Sequence, residues 1–215
     1  MRYRQTPEHI FGYNKEARPS NAGAIWRKLC WVNDQIAVSG DLSPHDSEAV
    51  AQLQKWVSDG ITDIIDLRGE ASHESLVARI APHITYHWLG VDDEGGKRSD
   101  EWFEAIKAAA ALVFADPSRK VVIHCHMGVN RGPSAAFAAM VTHGVNPIVA
   151  LTQIRAARPV ASMMYSFDAV QWHAREQGMT QEESDALHAA VLDWHLQNPL
   201  DVGYCIQQIG RRYAA

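Results

Sequence analysis

The stretch Val121-Val122-Ile123-His124-Cys125-His126-Met127-Gly128-Val129-Asn130-Arg131-Gly132-Pro133-Ser134 decides the fold. Its first three residues are β-branched and apolar, which reads as a buried strand. Gly132 and Pro133 open the run Ala135, Ala136, Phe137, Ala138 and Ala139, which reads as the start of a helix. The segment from Cys125 to Arg131 therefore joins a strand end to a helix N-terminus. Main-chain N–H groups in such a loop converge on an anion, and the helix dipole adds positive potential there. Cys125 sits at the rim of that field, which predicts a thiol pKa below its usual ~8.5 and a nucleophilic thiolate. Arg131 carries a planar fork able to grip two oxygens of a phosphoryl group.

His124-Cys125-x5-Arg131 resembles the H-C-x5-R signature of the cysteine-dependent protein tyrosine phosphatase superfamily, and its flanks resemble the dual-specificity branch. Gly128 falls where that loop usually carries glycine. The resemblance implies an α/β fold, a central mostly parallel sheet of about four or five strands flanked by helices. It implies Cys125 as nucleophile, and a phosphate cradle made of His126, Met127, Gly128, Val129, Asn130 and Arg131. His124 is expected to hydrogen-bond inside and hold the loop, and His126 to stand at the pocket rim. One departure is Gly132, where the family usually has Ser or Thr to help the thiolate leave. Ser134 or a water is then expected to take over that part.

Upstream, Gln35–Ser39, Ile61–Leu67 and Ile84–Leu89 read as strands, and Ser43-Pro44 as a cap opening a helix that ends near Ser58. A short helix is expected over Ser72–Ile80. Asp66-Leu67-Arg68-Gly69-Glu70 falls at a strand end, where α/β sheets build their sites. Arg68 is a candidate for attracting substrate, set against a structural pair with Asp66 or Glu70. After Leu89 comes an acidic, Gly-containing loop, and a carboxylic acid there can protonate a leaving oxygen. Asp92 and Asp93 are the candidates. Leu89-x-x-x-Asp93, followed by Phe103, resembles the family's acid loop, and its distance from Cys125 resembles the family's spacing, so Asp93 is preferred. Lys97 and Arg98 are read as exposed loop charge.

Downstream, Asp100–Ala115 is an alanine-rich helix, and Asn146-Pro147 and Thr180-x-x-Glu183 open two more. Arg155-Ala156-Ala157-Arg158-Pro159 resembles the family's Arg-x-x-Arg-Pro. The Pro-Asn pair that commonly follows in the family is replaced by Met163-Met164, so an altered buttress for the loop is expected. Three regions are expected: an N-terminal extension over 1–30, a catalytic domain over 31–178, and a C-terminal helical extension over 179–215 packed on the core.

With 215 residues and a net charge of −5, no global basic field recruits nucleic acid or anionic membrane. Three scattered cysteines, no signal-peptide core and no long apolar run point to a cytoplasmic protein. No cofactor is expected. A metal site is not expected either: His124 and His126 flank Cys125 without a second Cys or His pair at ligand spacing. The expected activity is hydrolysis of phosphate monoesters, on phosphotyrosine or dual-specificity protein substrates or small aryl phosphates, through a phosphocysteine. Two alternatives stand beside it. Asn130 before the arginine resembles RNA 5′-triphosphatases, and Gly132 allows a phosphate-binding module with slow turnover.

Overall fold

The computed structural model describes residues 8–213. Met1–Pro7 of the expected N-terminal extension, with Arg2 and Arg4, lie outside the described residues. Five strands form one sheet: β1 (Cys30–Trp31), β2 (Ile36–Ser39), β3 (Asp63–Arg68), β4 (Thr85–Val91) and β5 (Val121–His124). Their order is β1-β2-β5-β3-β4, all parallel except the β1–β2 pair, and β1 was not foreseen. The stretch quoted at the outset supplies the central strand. Ser39 and Asp66 both pair with His124, so β2, β3 and β5 end at one level. Whatever follows each of them meets at one edge.

Alternation along the strands builds two cores. Ile36, Val38, Ile65, Leu67, Val121 and Ile123 face one side, beneath α4 (Asp100–Phe114), α5 (Arg131–Thr142), α6 (Pro147–Ala157) and α7 (Ser166–Glu176). Ala37, Ile64 and Val122 face the other, beneath α2 (Asp46–Ser58) and α3 (Glu74–Ile80). Helix α5 is buried from Arg131 to Val141; its alanines let it lie close on the sheet.

Caps behave mostly as the sequence implies. Asn146 accepts from the N–H groups of Ile148 and Val149, with Pro147 first in α6. Thr180 and Glu183 close a reciprocal box at the start of α8 (Gln181–Gln197). Ser43 is the exception. Helix α2 begins at Asp46, and the Ser43 hydroxyl donates instead to Glu48 at 2.7 Å. Strand β4 runs past its expected end to Val91 through a register shift opposite β3. A Cβ on Gly90 would collide with the Arg68 carbonyl, so only glycine lets the chain pass this irregularity.

A last helix, α9 (Val202–Tyr213), follows the break at Asn198-Pro199 and was not foreseen as a separate element. Leu200, Cys205 and Ile209 pack with Ala22, Ile25, Trp26 and Cys30, and with Val129 of the Cys125–Arg131 loop. Both ends of the described chain thus bear on that loop.

Candidate active site

Cys125 follows directly on β5 and faces the α5 side of the sheet, while His124 faces the opposite side. The sulfur is almost wholly enclosed, the residue being 2% exposed. The N–H groups of Met127, Val129 and Asn130 have no oxygen acceptor among the described residues. The N–H groups of Gly128 and Gly132 face the sulfur. Gly128 makes the turn possible, with φ +62°, and a Cβ there would meet the Ser39 carbonyl at 2.6 Å and collide with Arg158.

Arg131, at the first turn of α5, is gripped along its Nη edge. Nη1 donates to Glu70 Oε2 at 2.6 Å and Nη2 to Glu70 Oε1 at 2.8 Å, and the Val91 carbonyl accepts from Nη1 at 2.9 Å. Hydrogen bonding to Arg131 holds the Glu70 carboxyl below its ordinary range. The Nε atom is buried without a hydrogen-bond partner, 3.5 Å from Asp93 Oδ2. A guanidinium has two forked edges, so Glu70 fixes one and leaves the Nε/Nη2 edge for an incoming anion.

Asp93 is drawn to the same place. Its Oδ1 accepts from Asn130 Nδ2 at 2.8 Å and from the Tyr165 hydroxyl at 2.7 Å. Asp92 has no side-chain hydrogen bond or ion pair among the described residues; its carbonyl accepts from Arg98 Nη1 at 2.7 Å. Arg98 also lies over the Tyr165 ring, 4.6 Å from the centroid, so it pins the loop and is not free surface charge. The two aspartates thus differ in their surroundings: Asp93 lies beside Arg131 and Asp92 does not.

The predicted drop in the Cys125 pKa is not what the site produces. Burial pushes the thiol up, and this exceeds the opposing pull of the Arg131 charge and the N–H of Gly132; Asp93 adds a further push up, and the N–H of Gly128 pulls down. The net direction is upward. The reason is first the depth of the sulfur and then the Asp93 charge near it.

Other sequence expectations also need correcting. Arg68 is buried and does not reach the loop: Nε donates to Asp66 Oδ1 at 2.9 Å and Nη2 to Asp66 Oδ2 at 2.6 Å. It is the structural pair with Asp66, while Glu70 belongs to Arg131. Ser134 does not stand in for the missing hydroxyl. Its Oγ donates to Asn130 Oδ1 at 3.3 Å and accepts from Tyr165 N at 3.2 Å, with no bond to the sulfur among the described residues. A Cβ at Gly132 would lie 3.3 Å from Cys125 N and from His124 C and Cα, tight against main chain that has little room to give.

His124 makes none of its expected hydrogen bonds. Both ring nitrogens are buried without a partner, the nearest acceptor being Asp66 Oδ2 at 3.7 Å. It stacks against Trp56 and His73 instead. Asp66, His73 and His124 bring three ligand atoms together, but Arg68 Nη2 already lies 2.6 Å from both Asp66 Oδ2 and His73 Nδ1. A guanidinium holds the place a cation would need. His126 stands at the rim, a third of its side chain exposed, with Nδ1 2.8 Å from Asp41 Oδ2. Asp41, just beyond β2, also accepts from Arg27 Nε at 3.3 Å. The sequence offered only its place at a strand end as a signal.

The altered buttress works through main chain and through the Ser162 hydroxyl, which donates to the Val129 carbonyl at 3.1 Å and to Asn130 Oδ1 at 3.4 Å. The N–H of Met164 donates to Asn130 Oδ1 at 2.8 Å, and that of Ser162 to the Val129 carbonyl at 2.7 Å. Met163 takes φ +53°, a left-handed value unusual for a side chain of this size.

Buried neutral histidines set the acid stability. Burial pushes His195 down to about 3 and His73 down to about 4. Each takes up its proton more readily in the unfolded chain, near ~6.5. The stability they contribute is present above about pH 6.5 and is lost as pH falls toward the folded values. Urea unfolding followed at about pH 7.5 and about pH 5 is expected to show a loss on the order of 1 kcal/mol per pH unit for the buried His195 and a smaller one for the half-buried His73, whose shift water screens.

Three-dimensional comparison places this architecture in the class of the tyrosine and dual-specificity phosphatase fold, with matches at probability 1.00. The chain is similar to a variant of human DUSP28, with 16% identity and a TM-score of 0.57 over 70% of this chain and 97% of that one. It is similar to PTPMT1 in complex with PI(5)P, with 13% identity and a TM-score of 0.55 over 68% and 95%. A human tyrosine phosphatase-like serine/threonine/tyrosine-interacting protein matches with 15% identity and a TM-score of 0.53 over 69% and 97%. No family model and no curated protein sequence matches the chain. Among the described residues, no helix is long and apolar enough to cross a membrane.

Proposed function

We propose that the chain is a cysteine-dependent phosphatase acting on phosphate monoesters, with phosphotyrosine or dual-specificity protein substrates. The carrying observation is the grouping of Cys125, held by the N–H groups of Gly128 and Gly132, with the Arg131 guanidinium, whose Nε is buried without a hydrogen-bond partner, and the Asp93 carboxylate 3.5 Å from that Nε. In the first step the Cys125 sulfur attacks phosphorus, the P–O ester bond breaks, and protonated Asp93 gives its proton to the leaving oxygen. The loop amides and Arg131 hold the equatorial oxygens as charge builds on them. In the second step water attacks phosphorus, Asp93 takes its proton, and the P–S bond breaks to return the thiolate.

A second reading, phosphate binding with slow turnover, draws support from the missing hydroxyl at Gly132, the engagement of Ser134 elsewhere, and the raised thiol pKa. The RNA 5′-triphosphatase reading loses its motif-level basis, because the Asn130 side chain is used up on Asp93, Met164 and Ser162.

Rapid-mixing kinetics with an aryl phosphate tests the choice. Sustained turnover supports the enzyme, and a single stoichiometric burst supports the slow module. For the acid, Asp93→Asn is expected to lower kcat by about 100-fold or more with a poor leaving group and by much less with a good one, because only the former needs the proton. Asp92→Asn is expected to stay within about threefold of the parent enzyme. Equal losses for both aspartates, independent of leaving group, would remove Asp93 from the proton-transfer role.

A further inference from the structure

A groove runs between the N-terminal segment and α9, in two parts of about 480 Å³ and about 450 Å³ that share Gly23, Ala24 and Arg212. Arg211 and Arg212 line one end, and Arg27 and Lys28 the other. No acidic side chain lines either part, although the chain as a whole carries a net charge of −5. Lys28, Arg211 and Arg212 have no carboxylate partner among the described residues. Arg27 spends Nε on Asp41, but its Nη2 is buried without a partner. Lys28, Arg211 and Arg212, with the ion-paired Arg27 beside them, form a local field along the trough opposite in sign to that of the protein.

The trough abuts the candidate active site. Trp26 forms part of its wall and donates from Nε1 to the carbonyl of His126, the residue after Cys125, at 2.9 Å. The buried Arg158 binds both sides of the junction: Trp26 and Ile25 carbonyls on one, Met127 and Gly128 carbonyls on the other. The segment also lies directly on α9, since a Cβ on Gly23 would sit 2.9 Å from the Gln208 carbonyl. Groove and loop are thus held in one fixed relation.

We infer that this groove binds the acidic residues flanking the phosphorylated residue of a protein substrate, while the phosphoryl group enters the loop at Cys125. The inference rests on the phosphatase reading for the second half of that statement only. Cations spread along a trough suit carboxylates spaced along an extended peptide, each met by a forked arginine or by lysine. A bilayer would need an apolar group to insert beside the charges, and none of the exposed large apolar residues lines the groove.

The test compares a phosphotyrosine peptide flanked by Asp and Glu with the same peptide flanked by Ser and Gly. The parent enzyme is expected to show a KM about tenfold lower for the acidic peptide, an advantage that fades with added salt. Lys28→Ala/Arg211→Ala/Arg212→Ala is expected to erase that advantage, leaving kcat and the hydrolysis of a small aryl phosphate unchanged. Unchanged aryl phosphate turnover also establishes that the variant folds; the single Arg211→Ala on the exposed last turn serves if the triple variant does not. Fluorescence anisotropy with an unphosphorylated acidic peptide needs no turnover, so it reads the groove even if the phosphatase reading fails. Equal KM values for the two peptides, or a triple variant that keeps the preference, would overturn the inference. So would charge-dependent binding to phosphoinositide vesicles or triphosphorylated RNA without binding to the acidic peptide.

Discussion

Cys125→Ser is expected to abolish turnover of an aryl phosphate, by roughly 10⁴-fold or more, while leaving the fold and phosphate binding in place. Serine is isosteric with cysteine to within one atom, and its hydroxyl sits in the same enclosed space facing the same N–H groups. Its proton, however, is far harder to remove, and no side-chain base lies beside it to take that proton. In the first step of the proposed mechanism Asp93 carries the proton meant for the leaving oxygen, so it is not free to take the serine's. The variant should therefore bind phosphotyrosine peptide without consuming it, with no phosphoenzyme trapped on acid quench. Residual steady turnover near the parent rate would mean that Cys125 is not the nucleophile. The raised thiol adds a second signature. Below its pKa the thiolate fraction rises tenfold per pH unit, so kcat/KM is expected to climb across the neutral range. Glu70→Gln, by leaving the Arg131 charge uncompensated, is expected to shift that climb to lower pH.

Arg158→Met is expected to destabilise the protein by about 4 kcal/mol and to cost more activity than the loss of fold explains. Arg158 is wholly buried and has no carboxylate; carbonyl oxygens and the Cys30 sulfur surround it instead. Burial accordingly pushes its pKa down. Not every oxygen suffers equally when the guanidinium goes. The Trp26 carbonyl keeps the N–H of Gly40, and the Ile25 carbonyl keeps that of Lys28. The Met127 and Gly128 carbonyls have no other donor among the described residues, so the orphaned groups are those of the catalytic loop. Arg158→Lys is not expected to rescue, because one ammonium cannot span carbonyls that a planar fork reaches on several sides. Urea unfolding alongside aryl phosphate kinetics checks both parts. A variant that loses stability while its folded fraction retains full activity would show that Arg158 does not shape the loop.

Much of this site was legible because the chemistry is local in the chain. A strand, a cysteine, a glycine in the turn and an arginine on a helix start occur within fourteen residues, and each has a backbone reason to be there. The place of Asp93 beside Arg131 was within reach because its loop follows the end of a neighbouring strand. What escaped were partners brought from elsewhere. Glu70, which holds Arg131, stood in view beside Arg68 only as one of two partners open to that arginine; the pleat decides that Arg68 turns inward to Asp66 while the chain beyond it turns back to the loop. Tyr165 reaches Asp93 across seventy-odd residues, and Asp41 reaches His126 across more than eighty. His124 was expected to hydrogen-bond, and nothing in its neighbours along the chain revealed the aromatic pocket that replaces those bonds.

By itself the sequence determined four of the five strands, most of the helices, and the strand, turn and helix start that carry Cys125 and Arg131. Hydrophobic period, capping residues and turn glycines act over a few residues, and they can be read there. Tertiary structure alone decided how deep the sulfur lies, which carboxylate faces which arginine, and that both ends of the described chain close on the loop through Arg158. Burial and charge pairing depend on distances between segments far apart in the chain, and these reverse the expected direction of the Cys125 pKa. The same distances gather Arg27, Lys28, Arg211 and Arg212, scattered at two ends of an acidic sequence, into one basic groove beside the site.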